Sequence, residues 1–291
     1  MLRRELIKAV KHLEIVARRA VDDQLAGQYQ SVFKGKGIDF TDVREYQPGD
    51  DIRVIDWNVS ARTSELHVKQ FVEERELTVL LMVDASGSQS FGTVNRRKRE
   101  TAAEMAALIA FSAITNNDRV GLMSFTDQVE QFIPPRKGRK HVLRVITEIL
   151  EAQPEQRGTD IAGALEYLSR ITSKRTLTFL ISDFQDTDFE TSLSIANRRH
   201  EIIPLVLEDP MESDLPNMGL VPFEDPETGR VVTVDTSSKR ARQEFRAIAR
   251  KRKDELVTTF RRHNIDHIPI RTDADHIAAL VGYFRNRSKR S

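Results

Sequence analysis

The chain has 291 residues, with 45 Lys plus Arg against 44 Asp plus Glu, a formal net charge of +1 and no cysteine. That balance exerts no global pull toward nucleic acid or an anionic membrane, and the missing cysteines exclude disulfides, thiol catalysis and thiolate metal sites. The start, Met1-Leu-Arg-Arg-Glu5, mixes charge into its apolar positions, unlike a signal peptide, and no run approaches the roughly 20 apolar residues of a spanning helix, so a cytoplasmic location is expected.

Residues 2–26 read as an amphipathic helix. Leu6, Val10, Leu13, Ala17 and Ala20 recur at steps of three and four, and Gly27 is the expected stop. Its basic residues are read as solvated while the apolar stripe docks on the body. Residues 28–76 differ in kind: short alternating pieces broken by Pro48-Gly49 suggest small strands and turns. Phe33-Lys-Gly-Lys-Gly37 is a poor phosphate loop, lacking the Gly-Lys-Ser/Thr ending. Asp50, Asp51 and Asp56 alternate with Arg44, Arg53 and Arg62, an expected ion-pair network. Arg44, Asp50, Arg53 and Trp57 are also candidates for a partner-binding surface.

From residue 77 the pattern changes. Leu77–Val83 is a nearly unbroken apolar run, the composition of a buried parallel strand. Further strands are expected at 120–125, 129–133 (an edge strand ended by Pro134-Pro135), 176–182, 201–207 and 267–270. Helices are expected between them at 95–116, 138–151, 161–168 and 188–199, with a last one at 278–285 capped by Asp275. Strands alternating with helices imply a doubly wound, mainly parallel α/β sheet, Rossmann-like in kind. The division is thus residues 1–76, a helix and an irregular β segment, and residues 77–291, the α/β domain, with an insertion at about 208–237. A basic helix over 238–263 has one apolar face, Phe245, Ile248, Ala249, Leu256 and Val257, and reads as covering the sheet. No recognised nucleic-acid module accompanies it.

Three loops stand out: Asp84-Ala-Ser86-Gly-Ser88, the turn holding Thr159, and the turn beginning at Asp183. Each lies just past a strand or just ahead of a helix, and in a doubly wound sheet such loops share one rim. Two carboxylates and three hydroxyls can there surround one divalent cation. Hard oxygen donors suit Mg²⁺, with Mn²⁺ or Ca²⁺ as alternatives. Neutral hydroxyl ligands leave the metal much of its charge, so it attracts an external carboxylate or phosphate.

Asp84-x-Ser86-x-Ser88, Thr159 before Asp160-Ile-Ala-Gly-Ala-Leu165, and Ser182-Asp183 resemble the metal-ion-dependent adhesion site of von Willebrand factor A domains. The flanks Gly37-Ile-Asp-Phe40, Arg44-Glu-Tyr46-x-Pro-Gly-Asp-Asp51, Arg53-x-Ile-Asp-Trp57, Ala61-Arg62 and Gln70-Phe-x-Glu-Glu74 are similar to the bacterial family known as domain of unknown function 58. This second resemblance covers nearly the whole chain. It implies a partner, a MoxR-type AAA+ ATPase, and the role of adaptor or co-chaperone in assembly or maturation of client proteins. It also implies Asp84 and Asp183 on adjacent central strands, and, for a chain without a spanning segment, peripheral recruitment to membranes at most. Gln89 stands where many relatives carry methionine.

Two other readings stay open. One is a metal-dependent hydrolase or phosphatase using Asp84, similar to the haloacid-dehalogenase phosphatases. Those need a second aspartate two residues on, where Ser86 stands, and a lysine base that the spacing does not identify. The other is structural, the acids merely capping helices.

Overall fold

The computed structural model describes residues 3–33, 39–63, 65–72, 76–92, 97–224 and 229–289. The Gly35-Lys36-Gly37 loop, Glu73-Glu74 and Asp225-Pro226 of the sequence reading lie outside these residues.

The chain opens with α1 (Arg3–Ala20), a π-helical turn (Val21–Leu25) and α2 (Ala26–Phe33). Gly27 therefore does not end the helix. Val21, Leu25, Tyr29 and Phe33 recur at steps of four and are all buried. That continuous apolar edge outweighs the modest helix penalty of a single glycine. Tyr29 and Phe33 pack edge-on against Phe284, and Phe33 also against Phe179.

A small unit follows: β1 (Asp39–Glu45), α3 (Trp57–Thr63) and β2 (His67–Val72), with β1 and β2 antiparallel. Within the expected network Arg44 and Asp50 pair, in two hydrogen bonds of 2.7 and 2.6 Å. Asp51 and Asp56 also act as local caps, on Arg53 N–H and on Asn58 and Val59 N–H.

The α/β part runs β3 (Thr78–Asp84), α4 (Lys98–Thr115), β4 (Arg119–Phe125), β5 (Val129–Arg136), α5 (Arg139–Glu151), α6 (Ile161–Ile171), β6 (Leu177–Ser182), α7 (Glu190–Arg199) and β7 (Glu201–Glu208). Then come α8 (Pro210–Ser213), the hairpin β8 (Leu220–Glu224) and β9 (Val231–Asp235), α9 (Lys239–Arg262), β10 (Ile268–Arg271) and α10 (His276–Ser288). The six-stranded sheet has the order β10-β7-β6-β3-β4-β5, parallel except for β5. It is a Rossmann-like, von Willebrand factor A-type fold.

Both faces of the sheet are covered, which is why its strands read as unbroken apolar runs. Val79, Leu81 and Val83 of β3 face α1, α2, α4, α5 and α10. Leu80 and Met82 face α6, α7 and the end of α9. Helix α4 is buried along nearly its whole length, from Lys98 to Ala113, not on one face alone. Small residues let neighbours close on it from several sides. Strand β5 continues through Pro134-Pro135 to Arg136 instead of stopping there. At a sheet edge a proline's missing N–H leaves no partner unsatisfied. Gly121 makes this possible: a Cβ there would lie 2.9 Å from both the Ile133 carbonyl and the Pro135 ring.

Only Phe260, near the end of α9, is fully buried, and Ile248 is 63% exposed. The first two-thirds of this helix thus leave the sheet and pack beside α8.

Phe33→Ala removes a ring shared by two helices and the sheet. It should cost about 3–5 kcal/mol in urea unfolding, whereas an N-terminal helix merely resting on the surface would cost under 1 kcal/mol.

Candidate functional site at the switch point of the sheet

Strand order reverses between β3 and β6: the chain moves outward from β3 to β4 and β5, then returns to β6, β7 and β10. Ligands in open α/β sheets bind outside the carboxyl ends of the strands at such a point. Asp84 ends β3 and Asp183 follows β6, the two strands of the switch.

Local backbone bonds hold the loops in place. Ala85 N–H donates to the Phe125 carbonyl at 2.8 Å, and Gly87 N–H to the Arg157 carbonyl at 2.9 Å. The second bond ties the serine loop to the turn carrying Thr159. That turn is fixed again by Asp160, whose N–H donates to the Thr126 carbonyl at 2.8 Å and whose carboxylate caps α6 through Gly163 N–H at 2.8 Å. Gly163 must be glycine for this cap, since a Cβ would come within 2.4 Å of Asp160 Oδ2. Asp186 accepts from Ile161 N–H at 2.8 Å and so binds the loop after β6 to the same helix start.

Within this frame Asp84, Ser86 and Ser88 form one buried group. Asp84 Oδ1 accepts from Ser86 N–H at 2.9 Å, Asp84 Oδ2 accepts from Ser182 Oγ–H at 2.7 Å, and the hydroxyls of Ser86 and Ser88 lie 3.0 Å apart. Thr159 is half-buried in the adjoining turn. Asp183 lies on the neighbouring strand end, and its Oδ2 accepts from Lys98 Nζ at 2.7 Å. The same ammonium bonds Glu212 of α8. Lys98 and the Asp183 side chain are closed to solvent, at 0% and 1% exposure. Gln185 Nε2 adds a bond to Glu212 at 2.9 Å.

Burial drives the Asp84 carboxyl up to about 7, reinforced by the charge of Asp183 and opposed by the bonds from Ser182 and Ser86. Burial by itself would neutralise Lys98, but the charges of Asp183 and Glu212 outweigh it and raise its pKa, so it remains an ammonium. Burial also raises the Glu212 carboxyl, against the pull of Lys98.

The donor set around Asp84 fits a hard divalent cation. Two hydroxyls stand beside a carboxylate whose ionised form is disfavoured by burial and by a like charge, a deficit that a cation relieves. Asp183, the other carboxylate of the expected set, is paired with the Lys98 ammonium. Among the described residues no three His, Asp or Glu side chains form a metal cluster by themselves.

Lys98 and Glu212 escaped sequence reasoning, and Ser182, quoted there only as the neighbour of Asp183, proves to be the donor to Asp84. Lys98 sits between Arg97 and Arg99, and nothing in that basic triplet marks the residue that turns inward. Gln89, where many relatives carry methionine, adjoins the site: its Nε2 lies 3.4 Å from Ser88 Oγ, and its buried Oε1 has no hydrogen-bond partner among the described residues. The partner-surface candidates are elsewhere in the chain. Arg44 and Asp50 bind each other, and Trp57, at the start of α3, is 66% exposed.

The family described as "Protein of unknown function DUF58" matches residues 42–255. The chain belongs to this family. An uncharacterized protein of Mycobacterium tuberculosis is 32% identical over 289 residues, covering 98% of this chain and 90% of its own length. A distant similarity, 27% over 111 residues, reaches the magnesium-chelatase 67 kDa subunit of Heliobacterium mobile, covering 38% of this chain and 15% of that protein. The structure of BatB from Bacteroides thetaiotaomicron overlaps 74% of this chain and all of that one, at TM-score 0.48 and 16% identity. No helix among the described residues of this DUF58 protein is long and apolar enough to cross a membrane.

Two stability measurements probe the site. Between the ordinary value of 3.8 and about 7, native Asp84 keeps a proton that the unfolded chain has lost. Metal-free protein should therefore lose stability as pH rises through that window, by a few kcal/mol, and Asp84→Asn should flatten the profile. Lys98→Met should cost about 3–5 kcal/mol by leaving buried carboxylates unpaired. Adding Asp183→Asn should recover part of that cost, a coupling readable in a double-mutant cycle.

Proposed function

We propose that this chain is a metal-dependent protein-binding module that serves as adaptor for a MoxR-type AAA+ ATPase in assembly or maturation of client proteins. The observation that carries the reading is the buried Asp84, Ser86 and Ser88 group at the switch point, beside Asp183. The cation, Mg²⁺ by preference, would be held by Asp84, Ser86, Ser88 and Thr159, with Asp183 as outer partner. A partner carboxylate would complete its shell. Kinship with DUF58, and a distant relative that is by name one subunit of a chelatase, support a role inside a multi-protein assembly. The proposed setting is the cytoplasm, with any membrane contact made through a partner.

The ATPase-facing surface is assigned to the small β1–β2 unit. Trp57 and Ile52 stand 66% and 68% exposed there, beside exposed Arg53 and the Arg44–Asp50 pair. Aromatic and arginine side chains are favoured interface anchors.

The hydrolase alternative gains a lysine from the fold, yet that ammonium is committed to Asp183 and Glu212. Asp84 instead takes the Ser86 N–H and the Ser182 hydroxyl.

Calorimetry with Mg²⁺ followed by capture of the ATPase tests the proposal. Wild type should bind Mg²⁺, Ser86→Ala and Ser88→Ala should each weaken it about tenfold, and Asp84→Ala should lose it. Trp57→Ala with Arg53→Ala should leave Mg²⁺ binding intact and reduce ATPase capture. Mg²⁺ binding that survives Asp84→Ala would overturn the site. Mg²⁺-dependent turnover of p-nitrophenyl phosphate, abolished by Asp84→Ala, would overturn the binding reading in favour of a hydrolase.

A further inference from the structure

Two grooves open on either side of the Ser86–Ser88 rim, and their linings meet at Phe91 and Glu224. One, of about 480 Å³, runs between the rim, α8, the inserted hairpin and the projecting part of α9. Its walls carry Met211, Phe223, Phe245 and Ile248. The other, of about 440 Å³, runs toward the turn before α6 and carries Arg99 and Arg157.

The two halves differ in chemistry. In the first, the apolar side chains come from elements the sheet does not need. Ile248 sits 63% exposed on a helix otherwise crowded with charge, although isoleucine there gains nothing from the sheet below. The charges bordering this half are Arg252, which donates to Gln185 Oε1 at 3.3 Å, and Glu212, already neutralised by Lys98. In the second half, Arg157 is exposed, while Arg99 is half-buried and gives one N–H to the Ala152 carbonyl at 2.9 Å. Glu224, exposed at the junction, is the anion that faces both halves.

We infer that the occupant of this continuous groove is an extended protein segment of defined pattern: a central carboxylate, a bulky apolar residue on one side and a second acidic residue on the other. The inference rests on the metal-dependent reading above and adds to it what the partner must look like. The central carboxylate meets the cation at Ser86 and Ser88. The apolar neighbour enters between Phe223, Phe245 and Ile248. The second acid reaches Arg157. Charge complementarity selects the order: Arg99 and Arg157 line the second half, whereas in the first the Arg252 guanidinium is bonded to Gln185 Oε1 among Met211, Phe223, Phe245 and Ile248. Glu224 also makes the groove conditional. With no cation at the rim, an incoming carboxylate is repelled by Glu224; with the cation, the local sign reverses.

The test uses the full chain and an array of nonapeptides with aspartate fixed at the centre, each flanking position set in turn to Leu, Glu or Gly. Binding is read in excess Mg²⁺ and in EDTA, with Mg²⁺ affinity measured separately by calorimetry. In Mg²⁺ the tightest peptides should carry Leu on one flank and Glu on the other. The double variant Phe245→Ser, Ile248→Ser should weaken Leu-flanked peptides roughly tenfold, the scale of one buried apolar side chain, and leave Mg²⁺ affinity unchanged. Arg157→Glu should abolish the acidic preference, and Glu224→Gln should relax the need for Mg²⁺. No flank preference in Mg²⁺, or a preference untouched by these variants, while calorimetry still finds Mg²⁺ bound, would overturn the groove and spare the metal site. Flank preferences that persist equally in EDTA would support the groove and overturn the metal-dependent reading on which it was built.

Discussion

The ammonium of Lys98 lies out of reach of water between two carboxylates that the chain brings from distant places. Asp183 arrives on the loop after β6, Glu212 on the short helix α8 beyond β7, and Lys98 itself opens α4. Taking such charges out of water is costly, and only mutual pairing makes it tolerable. The triad therefore acts as a constraint: it brings α4, the switch-point loop and α8 together in the arrangement that satisfies all three groups. The rim depends on this arrangement. It sets Asp183 beside Asp84 without doubling the uncompensated charge, and it anchors the root of the insertion next to the serine loop.

That division of labour explains the different states of the two aspartates. Asp183 faces a permanent internal cation. Asp84 faces only hydroxyls and an N–H, and its carboxyl is pushed up to about 7. One acid is structurally settled, and the other is left electrically incomplete at the position where a ligand can arrive.

The sheet was legible from residues alone because its strands are buried on both faces, and such strands announce themselves as apolar runs such as Leu77–Val83 and Thr176–Ser182. The aspartates at the strand ends were legible for the same reason, since a carboxylate after such a run has few structural excuses. The failures share a cause as well. Gly27 was read as a stop because propensity is local, while Tyr29 and Phe33 draw the helix onward through contacts with Phe284 and Phe179. Pro134-Pro135 was read as a strand end because no local pattern reveals that β5 is antiparallel at an edge. Lys98 was invisible because its partners lie 85 and 114 positions away. The apolar residues of α9 were assigned to the sheet, yet Ile248 points outward.

The docking of α2 against α10 carries a consequence for how the molecule comes to exist. Ser31 and Ser288 meet at 3.0 Å although 257 positions separate them, and the rings of Tyr29 and Phe33 close on Phe284 in the same contact. During synthesis the first helices emerge long before the last one, so their aromatic edge waits uncovered while nearly the whole sheet is being made. Contacts of such span are slow to form and leave apolar surface open to wrong partners meanwhile. Until α10 closes over them, Tyr29 and Phe33 present an apolar edge of the kind that chaperones shield.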